Sequence, residues 1–306
     1  MKIRLSNIII LVLLSLPATC QLQPLLDQYS LNGLAINPAY AGSQEALSIG
    51  LNSRNQWIGF EGAPKTITFS AHFPMRDKKV NLGAILLNDR LGTRNETGFI
   101  VNYAYRTDLR SGKLSFGLAA GLSNIFTNKD LIRYNDHGDD LVLNPGVNTL
   151  LPEFSFGTYY YSDRLYIGLS IPLFLDHTFN NTTGNYRIGF HPEHINYMLV
   201  SGYIIRISGD FELLPTILLK TNPASNSQLD VNCNIIYKSK VWFGTSMRTN
   251  NHIGFLFQYQ ANDQLRIAYS YGHEFSELSS VQKGSHEIML LYNFRYLVEV
   301  KSPRYF

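Results

Sequence analysis

Alternation constrains this chain more than any other feature. Apolar side chains recur at every second position, in one segment after another. In Leu265–Tyr271, the residues Leu265, Ile267, Tyr269 and Tyr271 share one face, while Arg266, Ala268 and Ser270 share the other. His286, Ile288, Leu290, Tyr292 and Phe294 lie opposite Glu287, Met289, Leu291 and Asn293 in the same manner. Leu229, Val231, Cys233, Ile235 and Tyr237 face away from Asp230, Asn232, Asn234, Ile236 and Lys238, and Leu114–Ser123 repeats the pattern with Ser, Gly and Ala on its second face. A period of two marks strands. A soluble sandwich alternates too, so segment length has to decide. Many of these segments run about 9–11 residues, the span of a tilted transmembrane strand, against the five or six common in globular sheets.

Fourteen such segments lie near 44–53, 65–73, 79–88, 96–106, 112–123, 153–162, 164–173, 195–207, 210–220, 228–238, 240–248, 251–260, 264–272 and 284–295. Their connections alternate in length. Pro74–Lys78, Thr107–Ser111, Asp163, Ser208–Gly209, Ser239 and Ala261–Asp263 are short, whereas 54–64, 89–95, 124–152, 174–194, 221–227 and 273–283 are longer, with the Thr249–Asn250 turn as the exception. The expected fold is therefore all-β: a transmembrane up-and-down antiparallel β-barrel of about 14 strands, with short periplasmic turns and long outer loops. A soluble all-β domain is the competing fold.

Composition agrees. The 306 residues carry 26 Lys+Arg and 23 Asp+Glu, for a net charge of +3; charged residues are 16% and aromatics 13%, with a mean hydropathy of −0.08. That is too aromatic for a disordered chain and too evenly charged for a nucleic-acid binder. A helical membrane bundle would need long apolar runs, and only the N-terminus has one. An embedded barrel explains the 19 Tyr and 18 Phe beside so few charges, because half of each strand meets lipid.

That N-terminal run has the form of an export signal over residues 1–20: Lys2 and Arg4, then an apolar stretch from Ile8 to Leu16, then Pro17 and Ala18-Thr19-Cys20. The mature start is then Gln21; the competing reading, a lipoprotein with Cys20 modified, has Thr19 as a poor fit. With Cys20 removed, Cys233 has no intrachain partner. The expected order is signal peptide 1–20, periplasmic N-terminal segment 21–43, barrel 44–295 and periplasmic tail 296–306.

Several short motifs punctuate this frame. Asn37-Pro-Ala-Tyr-Ala-Gly-Ser43 precedes the first strand, and Arg54-Asn-Gln-Trp57 and Gly62-Ala-Pro64 follow closely. Tyr103-Ala-Tyr-Arg106, Gly284-Ser-His-Glu-Ile288 with Tyr292 and Phe294, and Ser302-Pro-Arg-Tyr-Phe306 come later. Across nearly the whole mature chain, this set resembles the PorP/SprF family of type IX secretion system membrane proteins. The resemblance implies an outer-membrane barrel of Bacteroidota-type bacteria, acting without catalysis in secretion, gliding or surface display of exported proteins. The implied partners are other type IX secretion or gliding proteins, an exported surface protein and outer-membrane lipid. A diffusion or uptake channel is the alternative function.

The candidate partner-binding or structural residues are Asn37, Pro38, Tyr40, Gly42, Arg54, Trp57, Pro64, His286, Glu287, Ser302, Pro303 and Arg304. Pro38 fixes its own φ and steers Asn37 away from helix, and Gly42 permits a left-handed turn. That segment is either a structural turn or a piece that docks a partner or plugs the barrel mouth. Trp57 could anchor at the headgroup level, pack into the lumen with Arg54 stacked on it, or touch a partner. In Asn135-Asp-His-Gly-Asp-Asp140, carboxylates cluster without calcium-loop spacing. His191 and His194 could share a metal, but Pro192 between them spoils a helical presentation, so no metal or cofactor is expected. No nucleophile, metalloprotease or phosphate-loop motif occurs. His286 and Glu287, adjacent on a strand, point to opposite faces and form no acid–base pair.

Overall fold

The computed structural model describes residues 26–76, 79–127, 148–180, 185–249 and 251–294. Its strands, in chain order, are β1 (Leu47–Asn55), β2 (Lys65–Pro74), β3 (Val80–Leu91), β4 (Arg94–Leu109), β5 (Gly112–Thr127), β6 (Asn148–Tyr161), β7 (Leu165–Ile171), β8 (Asp176–Asn180), β9 (Asn185–Gly189), β10 (Tyr197–Tyr203), β11 (Ile205–Arg206), β12 (Phe211–Asn222), β13 (Ser225–Tyr237), β14 (Val241–Arg248), β15 (His252–Gln260), β16 (Leu265–Glu274) and β17 (Ser285–Phe294). Sequential strands pair antiparallel, β1 pairs with β17, and β10 pairs with both β7 and β12. The sheet therefore closes on itself. Both β10 and β11 lie along β12, interrupted only at Ile204, so they form one bent stave. With β8 and β9 apart as a two-stranded hairpin, the barrel has 14 staves. Closure matters physically, because backbone N–H and C=O groups at membrane depth have no water to bond and must pair strand to strand.

Alternation sorts the side chains as the sequence pattern requires. Outward positions carry Leu51, Phe69, Phe99, Leu118, Leu169, Phe243 and Phe255, all exposed. Inward positions carry Asn52, Thr68, Ser70, Asn102, Ser115, Thr216, Asn232, Ser246 and Ser270, all buried. Both chain ends of the sheet, Leu47 and Phe294, lie at one rim and pair with each other. The connections at that rim are short.

The opposite rim differs from expectation in three places. The links expected to be long at 89–95 and 221–227 are tight turns, Gly92-Thr93 and Pro223-Ala224, because strand pairing continues to Leu91↔Arg94 and Asn222↔Ser225. Gly92 supports its turn with a φ of +58°. The segment 174–194 holds the β8–β9 hairpin, which its short, irregular alternation did not announce. Some strand-end charges sit on the rims: Lys238 is in an exposed turn, and Arg206 pairs with Glu212 at 3.3 Å in the open. The expected carboxylate loop at 135–140 and the tail 296–306 lie outside the described residues.

The hydrophobic core lies inside the barrel, between its wall and residues 26–46. Leu34, Ala39, Tyr40 and Ala41 pack with Ile85, Ala104 and Tyr159. Tyr29 and Ile36 pack with Met198, Val200 and Leu218. Leu31 packs with Ala268, Met289 and Leu291. No described helix is long and apolar enough to cross a membrane; the strands are the spanning elements.

If the outward face meets lipid, Leu118→Arg, exposed midway along β5 between Tyr103 and Phe156, should destabilise the barrel in bilayers by about 2–4 kcal/mol. Urea unfolding in lipid vesicles measures this, and an unchanged midpoint would contradict a lipid-facing surface.

Candidate functional site

The features that set this barrel apart converge on its interior. Residues 26–46 run along the lumen from near the loop-bearing rim down to the start of β1. Two 3-10 turns, Gly33–Ala35 and Pro38–Tyr40, keep the segment compact. Pro38 opens the second turn, and the extended Asn37 caps it by accepting a hydrogen bond from the Ala39 amide at 2.9 Å. The Asn37 amide group also donates to the Thr158 and Leu169 carbonyls at 2.9 and 3.2 Å. This requires bare wall. A Cβ on Gly117 would lie 2.1 Å from the Ala39 nitrogen, one on Gly157 would lie 2.1 Å from Asn37 Oδ1, and one on Gly168 would lie 2.9 Å from Asn37 Nδ2. Three wall glycines thus form the seat for this motif.

Tyr40 packs edge-on against His72 and Tyr159, with centroids at 5.5 and 5.4 Å. Gly42, at φ +72°, turns the chain towards β1. Its amide donates to His72 Nδ1 at 3.1 Å, and its carbonyl accepts from Arg106 at 3.1 Å. Arg106 also donates to the Tyr161 hydroxyl at 2.7 Å.

Nearer the loop-bearing rim, charges lock the segment to the wall. Arg54 Nη1 donates to Asp27 Oδ2 at 2.7 Å and to Glu287 Oε2 at 2.9 Å, with all three side chains out of solvent. Glu287 accepts further from Asn52 at 2.7 Å and from the Asp27 amide at 2.9 Å. Arg248 bridges Asp27 and Asp230 at 3.2 and 2.9 Å, and His252 Nε2 lies 3.1 Å from Asp27 Oδ1. Gln28 bonds Tyr269 and Gln258, and Tyr29 bonds Thr216. Isolated buried charges are costly, and such a network holds only when every member is paired.

The remaining predicted residues disperse. Trp57 does not stack on Arg54; its indole N–H donates to Glu274 at 2.7 Å, tying the first loop to the end of β16. Pro64 closes that loop by accepting from the Gln56 amide at 3.0 Å. His286 faces outward and bonds the Tyr269 hydroxyl at 2.7 Å, on the face opposite Glu287. Ser302, Pro303 and Arg304 lie outside the described residues. Asp27, Gln28, Tyr29 and His252 were not singled out from sequence. Two arginines at lumen positions, Arg54 and Arg248, were the available signal, since each needs a counter-charge.

Above the inner segment is a cavity of about 410 Å³. Apolar walls from Leu26, Ile100, Ile125 and Met198 meet polar ones from Arg94, Glu153 and Lys220. At its mouth, Asp176 of β8 meets His191 and His194, with Oδ2 3.2 and 2.9 Å from their Nδ1 atoms. The hydrogen bond to Asp176 holds His194 above its ordinary pKa. Burial pushes Asp176 upward, but the hydrogen bonds from His194, Thr178 and His191 outweigh it and keep it below the usual carboxylate range.

A closed β-barrel with an apolar exterior and an inner segment in its lumen has the architecture of an outer-membrane protein. Among solved structures, the chain is similar to the outer-membrane protein Omp33 of Acinetobacter baumannii, at 6% identity over 82% of this chain and 98% of that one, with a TM-score of 0.50. The CymD monoaromatic hydrocarbon channel aligns at 12% identity over 87% and 93% of the two chains, with a TM-score of 0.49. No curated protein matches. The family model for the type IX secretion system membrane protein PorP/SprF matches residues 18–292, and the chain belongs to that family.

Two outcomes are expected from the site. Arg54→Ala, which leaves Glu287 buried without its cation and Asp27 with Arg248, should cost about 3–5 kcal/mol of stability; denaturant unfolding in detergent reads this, and an unshifted midpoint would contradict it. Gly157→Val should expel the Asn37 side chain at an overpacking cost of about 1–3 kcal/mol. Protease added to the folded variant should then cut within 26–43, where the parent chain resists.

Proposed function

We propose that this outer-membrane component of the type IX secretion system works as a non-enzymatic docking protein. In this reading, the loop-bearing rim engages an exported surface protein for secretion, gliding or surface anchoring. The opposite rim and the tail through Ser302, Pro303 and Arg304 engage periplasmic components of the same machinery. The carrying observation is the filled lumen: residues 26–46 occupy it and are held by buried ion pairs from Asp27 to β1 and β14 and by a hydrogen bond from the Asp27 amide to Glu287 of β17. A diffusion pore needs a continuous water path, and a locked inner segment suits a rigid platform better. Rigid elements present binding groups more accurately than free loops do.

Deleting the gene should abolish surface display of the cognate exported protein, and affinity purification from detergent-solubilised outer membrane should identify it. Unchanged secretion and display in the deletion strain would refute the docking role. In planar bilayers, the intact barrel should give no stable large-pore current; such a current would favour the channel instead.

A further inference from the structure

We propose that Asp176, His191 and His194 form a binding site for a divalent metal ion of the zinc class, at the mouth of the upper cavity. The sequence argues against such a site, because Pro192 prevents an α-helix from presenting the two histidines together. The structure shows another route. Pro192–His194 is a 3-10 turn with Pro192 in its first position and His191 as its cap. Proline is favoured at that first position, where its missing N–H is not needed. In a 3-10 turn, residues three apart eclipse one another. His191 and His194 therefore stand side by side, with ring centroids at 5.6 Å.

The third ligand arrives from a separate element. Asp176 begins β8, and its backbone pairs with Gly189 at the end of β9. Gly189 also clears space for the ligand set: a Cβ there would lie 2.6 Å from His191 Cε1. One ring nitrogen from each histidine and a carboxylate oxygen all lie within 4.8 Å of one another. Ligand atoms around a tetrahedral zinc at about 2.0–2.1 Å are spaced by about 3.3 Å. The contacts of 2.9 and 3.2 Å from Asp176 Oδ2 are close to that spacing, so a small separation of the rings completes the set. Two imidazoles and one carboxylate are a zinc-type donor combination, with a fourth position open to water.

The turn carrying the histidines is anchored independently of the hairpin. Asn222 donates to the His194 carbonyl at 2.7 Å, and the Ala224 amide donates to the Glu193 carbonyl at 3.0 Å. Both partners belong to the β12–β13 turn. An ion bound here would clamp the β8–β9 hairpin to the barrel rim, beside the cavity that Asp176, His177 and His194 help to line.

The test uses the full mature chain, without a histidine tag, folded in detergent and stripped with chelator. Zn²⁺ alone is titrated by calorimetry, and Co²⁺ is added separately to read coordination by absorption. One Zn²⁺ per chain is expected, with a tetrahedral Co²⁺ spectrum. Asp176→Asn and the double variant H191A/H194A should each weaken binding by at least about 10–100-fold, the loss seen when even an outer-shell partner of a metal site is removed. The two histidines are exposed and Asp176 is partly so, outside the barrel strands, so heat-modifiable migration on gels should stay unchanged and exclude misfolding. No zinc uptake by the parent chain would overturn the proposal, as would uptake that persists unchanged in both variants.

Discussion

Arg54 joins two carboxylates from opposite ends of the chain, Asp27 before the first strand and Glu287 in the last. None of the three side chains reaches solvent. Withdrawing such groups from water is unfavourable, and only mutual pairing with full hydrogen bonding makes it tolerable. Asn52, Arg248 and the Asp27 amide add further bonds to the two carboxylates. The inner segment thus cannot leave without stranding charge in the wall. Equally, the wall cannot close in another register without stranding Asp27. Interior and barrel specify each other.

That dependence gives the molecule its inverted economy. Its exterior is apolar where a soluble protein would be charged, and its apolar clusters among the described residues form where residues 26–46 meet the wall. Without that segment, Ile85, Tyr159, Met198 and Met289 would line an open lumen beside buried Arg54 and Glu287. A PorP/SprF barrel built this way is better suited to presenting rims than to passing solutes, which is the physical basis of the docking role proposed for it.

The barrel was legible in the sequence because lipid and lumen impose a strict period of two on every stave. Strand positions such as 65–74, 211–222 and 285–294 follow from that period almost directly. What stayed hidden has local causes. The β8–β9 hairpin spans no membrane, so nothing forces its residues to alternate. Gly92 and Pro223-Ala224 turn the chain more tightly than the composition of their neighbours suggests, because pairing runs on past the membrane span. Asp27 was invisible as a ligand of Arg54, since the two approach only once the chain folds back into its own barrel. Likewise, Pro192 read as an obstacle between two histidines when it is the residue that opens their shared turn.

The same inner segment has a temporal consequence. Asp27 bonds Glu287 across 260 residues of sequence, and β1 closes the sheet against β17 beside that bond. Contacts this distant form late, because the intervening chain must be ordered first. Sealing the β1–β17 edge and seating Asp27 therefore draw on the same long-range contacts.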